Sequence, residues 1–152
     1  MGIGEDDLLR CSVTVMPVID GKIGFLRRDP DDSYAGLLLA PGGSLETPDG
    51  IPVEGLRYYS VEVAAVREMW EKTGIRIKRD DLTYFCSLTL PSLRITFSFF
   101  CPVNRTQIAR SLGYLEFFSG EEITKRSDFA PGMKQEALLL LEQLGIGGKN
   151  DT

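Results

Sequence analysis

The chain has 152 residues, a net charge of −5, 43% hydrophobic residues and no histidine. That length suits a single domain, 1–152, with a real core, the stretches 1–8 and 146–152 being expected as flexible ends. The acidic balance argues against nucleic acid polymers and anionic membranes as partners, and the missing histidine excludes Ser-His and Cys-His catalysis and zinc–histidine sites.

The opening MGIGEDDLLR lacks the basic and apolar regions of a secretory signal and has Asp6 where a myristoylation motif takes Ser or Thr. No apolar run approaches membrane-spanning length, so the cytoplasm is the expected location. Cys11, Cys86 and Cys101 lie far apart in apolar runs and read as buried reduced thiols.

In chain order, LRCSVTVMPVID and IGFLRR, joined by DGK, predict a hairpin over about residues 9 to 28. DPDDSYAG is a polar loop, and LLLAPGG reads as a short buried strand stopped by Pro41 and two glycines. Residues 47 to 58, with two prolines and two glycines, read as an exposed loop. Ser60 can cap the helix that follows, whose apolar positions Val63, Val66 and Trp70 form an amphipathic stripe closed by Gly74. On that stripe Trp70 is expected in the core.

IRI, LTYFCSLTL and LRITFSFFCPV read as strands, with Pro91 and Ser92 turning between the last two. Residues 104 to 114 read as a polar loop and YLEFF as another strand. Ser119 and Glu122 form a capping-box pattern opening a short helix, DFAPG breaks it, and MKQEALLLLEQLG predicts a terminal helix. Strands around one helix, with another at the end, indicate an α+β or layered α/β/α domain.

The chemistry concentrates in two segments. Glu68 and Glu71, in VREMWEKTGI, stand three apart and share a helical face. PGGSLE, residues 41–46, precedes them on a strand and loop. Alone, an R-E-x-x-E-K helix is a solvated, salt-bridged face. Together and in this order the two segments resemble the Nudix box of the Nudix hydrolases, G-x5-E-x7-R-E-U-x-E-E-x-G-U, in which U is bulky and apolar. Arg67, Glu68, Met69, Glu71, Gly74 and Ile75 match that pattern, and the order of elements also resembles a Nudix domain.

The resemblance implies an α/β/α sandwich with a mixed β-sheet between helices. It implies hydrolysis of a nucleoside diphosphate linked to another moiety, with Mg2+ as cofactor and Mn2+ as a substitute. It makes Glu68, Glu71 and the Gly42 carbonyl metal ligands, and gives Arg67 and Glu46 the task of bracing the loop against the helix. Glu68 doubles as proton acceptor. Gly43, Arg28 and Lys72 are candidates for substrate contact, and Arg27 is weighed with Arg28.

Two departures stand out. Arg67 lies 24 residues after Gly43, where the pattern has 14, so about ten residues are inserted. The first Glu of the box falls on Asp49 counting forward and on Tyr59 counting backward, and the role passes to neither. Lys72 replaces an acid, four residues after Glu68, where it can pair with that carboxylate and weaken metal affinity.

Glu116, Glu121 and Glu122 are candidates for a supplementary acid, although capping accounts for the last pair. Tyr34, Tyr58 and Tyr59 could stack on a base. The partner is expected to be a small nucleoside diphosphate derivative; the oligomeric state is open, a homodimer included. The competing reading is a Nudix-like domain that binds a nucleotide or a protein without cleaving it.

Overall fold

The computed structural model describes residues 11–31, 34–89 and 94–146. Among the described residues, nine strands and four helices make an α+β protein with a mixed sheet. Hydrogen bonding orders five of the strands as β3 (Leu38–Leu39), β2 (Lys22–Arg27), β1 (Cys11–Ile19), β8 (Ile95–Pro102) and β7 (Thr83–Thr89), with β4 (Gly42–Ser44) on β1 and β9 (Glu116–Phe118) on β2. The chain falls into two compact units, Met1–Val15 with Pro41–Cys101, and Met16–Ala40 with Pro102–Thr152.

In the first unit, β1 (Cys11–Ile19) begins against β4 (Gly42–Ser44), pairing Ser12 with Ser44, Val13 with Gly43 and Thr14 with Gly42. The glycines expected to stop a strand therefore form one, because only a side-chain-free backbone can lie this close to β1. A Cβ on Gly42 would run into the Val13 carbonyl oxygen and stand 3.1 Å from the Thr14 Cα.

After β4 the expected exposed loop is instead a 3-10 turn, Thr47–Asp49, and a hairpin of β5 (Gly50–Val53) and β6 (Leu56–Tyr59). Glu54 and Gly55 make its two-residue turn with φ of 49° and 81°, the left-handed pair that matches strand twist. Ile51, Val53, Leu56 and Tyr58 share one exposed face through the register Ile51↔Tyr58 and Val53↔Leu56.

Helix α1 (Val61–Thr73) starts at Ser60, whose hydroxyl accepts from Val63 N at 3.3 Å, and ends where Gly74, at φ 75°, donates its N–H to Trp70 O. Its buried residues are Ala64, Ala65, Glu68, Met69 and Thr73 rather than the Val63–Val66–Trp70 stripe. The two alanines let the helix pack closely, which rotates Trp70 outward to 44% exposure with the Arg76 guanidinium 4.0 Å above its ring. Ile75 and Ile77 are buried but join no strand ladder, so IRI is apolar anchoring rather than a strand. β7 (Thr83–Thr89) and β8 (Ile95–Pro102) pair antiparallel; the turn expected at residues 91 and 92 lies outside the described residues.

In the second unit, the end of β1 turns through Asp20 and Gly21 into β2 (Lys22–Arg27), which pairs with β3 (Leu38–Leu39) and β9 (Glu116–Phe118). The expected loop after residue 103 contains a short helix, α2 (Arg105–Ala109), capped reciprocally by Asn104 and Gln107. Helix α3 (Gly120–Lys125) carries the predicted Ser119–Glu122 box, and α4 (Met133–Gln143) closes the described chain. Phe25, Phe118 and Phe129 pack as an aromatic cluster, the Phe25–Phe129 pair edge-on at 4.9 Å, a geometry worth about 0.5–1.5 kcal/mol beyond area burial.

Arg27 holds this unit's loop in place by donating to the Gly36 carbonyl and pairing with Glu116 and Asp128. The Asp128 carboxyl is held down at about 2, first by its hydrogen bond from Arg126. Of the three thiols only Cys101 is buried; Cys11 and Cys86 are half-buried, their strand positions lying nearer the surface than apolar flanks suggest. Burial pushes Cys101 up to about 12, so it stays an inert thiol. Among the described residues no helix is long and apolar enough to cross a membrane.

Candidate functional site

The candidate site lies wholly within the first unit and is built around Arg67. Its Nε and Nη2 donate to the two oxygens of Asp49 at 2.8 and 2.9 Å, and Nη2 also reaches the Ser44 carbonyl at 3.2 Å. Asp49 is 1% exposed, and one of its oxygens accepts the Glu46 backbone N–H at 2.7 Å. The hydrogen bond that Arg67 donates to Asp49 is the main reason that the Arg67 pKa is raised further. Strand β4, the 3-10 turn and α1 are thus tied by one fork-to-fork ion pair.

The remaining nitrogen, Nη1, lies 2.6 Å from a Glu46 oxygen and 3.1 Å from one oxygen each of Glu68 and Glu71. Those three glutamates each offer an oxygen within 4.8 Å of the others. Glu46 and Glu71 are about half exposed, whereas the Glu68 side chain is 6% exposed. Glu68 Oε2 is buried and, among the described residues, has no hydrogen-bond partner. Burial raises the Glu68 pKa, opposed by the positive charges of Arg67 and Lys72.

Gly43 explains how a glutamate fits there. A Cβ at this position would stand 2.6 Å from Glu68 Cδ and closer still to both carboxylate oxygens. The strand offers a bare backbone against which the carboxylate lies, with Oε2 open to a further partner. A buried, unpartnered oxygen in a group of three carboxylates, with net negative charge around one guanidinium, has the donor chemistry that a hard divalent cation takes.

The structure thus brings together Arg67, Glu68, Glu71, Gly43 and Glu46. Gly42 sits one residue along β4. Lys72 is exposed and, among the described residues, makes no ion pair within 4.0 Å; its charge reaches Glu68 only through space, and Arg67 holds the contact expected of it. Arg28 belongs to the second unit, its backbone N–H bonded to Leu37 O. Arg27 and Glu116 pair with each other, Glu122 is spent on its cap and Glu121 on Lys125.

No family profile and no curated protein sequence matches the chain. Solved structures do. A Nudix-family hydrolase from Clostridium perfringens is 17% identical with a TM-score of 0.61, over 88% of this chain and 97% of that one. The fold is the Nudix fold. The Nudix domain of Shewanella oneidensis NrtR, solved with ADP ribose, is 17% identical with a TM-score of 0.63, over 88% of this chain and 87% of that one. The C-terminal domain of mouse MUTYH, solved with human PCNA, is 13% identical with a TM-score of 0.61, over 93% of each chain.

On the Nudix pattern the conflicting counts now reconcile. Ser60 N donates to Asp49 O at 3.3 Å, so the ten residues Gly50–Tyr59 leave and return at one point. With that hairpin set aside, Asp49 stands at the pattern's first acidic position and grips Arg67. Counting along the sequence left the role open between Asp49 and Tyr59; the signal that decides is an I-x-V and an L-x-Y segment around Glu54–Gly55, which mark the insertion as a closed hairpin.

Proposed function

We propose that the chain is a divalent-metal-dependent pyrophosphohydrolase acting on a small nucleoside diphosphate derivative, with turnover slowed by Lys72. The observation that carries this reading is the unpartnered Glu68 Oε2, laid against Gly43 within the Glu46–Glu68–Glu71 group. Those three glutamates would hold Mg2+ or Mn2+, with the Gly42 carbonyl as a further oxygen. The bound ion would neutralise phosphate oxygens and acidify water.

The chain's own residues supply the rest. Burial raises the affinity of the Glu68 carboxyl for a proton, which suits this residue to accept one from the water attacking phosphorus as the bridging P–O bond breaks. Arg67 keeps α1, β4 and the 3-10 turn in register, so the carboxylates face one point. Arg67 Nη1 lies among the three acids and balances part of their charge. The Nudix hydrolase fold of the neighbours supports the reaction class, and the ADP ribose bound by the NrtR domain supports the ligand class.

A second reading, binding without cleavage, is favoured by Lys72 and by a neighbour solved on a protein partner. Product release from a panel of nucleoside diphosphate derivatives with Mg2+ and with Mn2+ separates the two. The hydrolase reading expects turnover that falls at least about a hundredfold in Glu68→Gln, the scale of a lost general base. A parent protein that binds a panel member but never cleaves it overturns that reading in favour of the second.

A further inference from the structure

We infer that Arg94 is a substrate-binding residue, its guanidinium receiving a non-bridging oxygen of the diphosphate beside the glutamate group. The inference rests on the hydrolase reading and names a contact of the same site. Arg94 precedes β8, is half-buried, and donates Nη1 to the Ser44 hydroxyl at 3.2 Å. Among the described residues no carboxylate lies within ion-pair distance of it, whereas Arg27, Arg67 and Arg126 each pair with one. A guanidinium has five N–H donors, and here a neutral hydroxyl takes one of them. A partly desolvated cation left in that state gains from an anion brought to it.

Its position says which anion. Ser44 is shared by two arginines, its carbonyl oxygen accepting from Arg67 and its hydroxyl from Arg94. One residue earlier on β4, Gly43 touches Glu68. Arg94 therefore holds the strand residue that follows Gly43, the glycine backing the Glu68 carboxylate. A ligand bridging Arg94 and that carboxylate must be negative toward Arg94 and must tolerate carboxylates through an intervening cation, which describes a diphosphate. Arg presents a planar fork matched to phosphate oxygens and loses little freedom on binding.

Arg94→Ala and Arg94→Lys, compared with the parent in steady-state kinetics on ADP-ribose with Mg2+, test the assignment, with thermal unfolding as the fold control. The expected result is a KM about tenfold or more higher in Arg94→Ala, kcat within about threefold, partial recovery in Arg94→Lys, and an unchanged Tm. That split marks a contact made alike in ground and transition states. Binding of ADP-ribose to Arg94→Ala in a Glu68→Gln background should weaken by the same factor. An unchanged KM in an active protein overturns the Arg94 assignment alone, as does a lowered Tm with no change in KM. A parent that neither cleaves nor binds ADP-ribose or inorganic pyrophosphate overturns the hydrolase reading and this inference with it.

Discussion

Arg67 and Asp49, 18 residues apart in sequence, are joined by two parallel charge-assisted hydrogen bonds of 2.8 and 2.9 Å. Asp49 is the buried half of the pair and also fixes the Glu46 backbone, so it orders both sides of the glutamate group. Asp49→Ala is expected to destabilise the protein by about 3 kcal/mol, the scale for breaking a buried ion pair. Urea unfolding followed by circular dichroism measures it, and a loss below about 1 kcal/mol would remove Asp49 from the role of organiser.

Lys72 carries a positive charge that Glu68 feels without an ion pair. Lys72→Glu changes that charge by two units about one helical turn from the cradle, so Mg2+ affinity should rise about tenfold. Lys72→Gln should fall between. Isothermal titration calorimetry reads both; equal affinities in all three proteins would show that position 72 does not tune the site.

Gly43 is required by the Glu68 carboxylate rather than by backbone conformation. Gly43→Ala should therefore cost about 1–3 kcal/mol through overpacking and abolish any Mg2+-induced rise in Tm. The double variant Gly43→Ala/Glu68→Ala should regain most of the stability, since the clash is pairwise. Additive losses in the double variant would contradict the contact.

Asp128 offers a pH test away from the site. Its folded value, about 2, lies below the ordinary 3.8, so its contribution is present above pH 3.8 and is lost as pH falls toward 2. Asp128→Asn should lower Tm by a few degrees at pH 7, and the gap to the parent should narrow between about pH 4 and pH 2.5. Scanning calorimetry across that range would expose a constant gap, which would mean that the carboxylate charge is not what matters.

The helix ends are legible in the sequence because local rules and tertiary packing agree there. Ser60, Gly74 and the Ser119–Glu122 box bound their helices as predicted, because each cap satisfies backbone groups of its own helix. Sequence signals fail where distant contacts decide. Trp70 fits an apolar stripe, yet the close approach of Ala64 and Ala65 and the burial of Glu68 turned the helix by a fraction of a turn. Asn104 and Gln107 spelled a cap that went unread beneath a polar composition. At the site, Glu68 and Glu71 were legible from spacing, but the third glutamate of the group, Glu46, had been assigned only to bracing. Asp49 was one of two positions reached by counting, and the hairpin hid which count holds, since no count along the chain shows that Ser60 returns to it.

The hydrogen bond from Ser60 to Asp49 makes the hairpin a pendant on a closed neck. Its ten residues can lengthen, shorten or change their chemistry while the two anchor points keep their spacing. A lineage bearing such an appendage can explore new recognition there without disturbing the acids below, and an engineer could splice a foreign epitope into the same place.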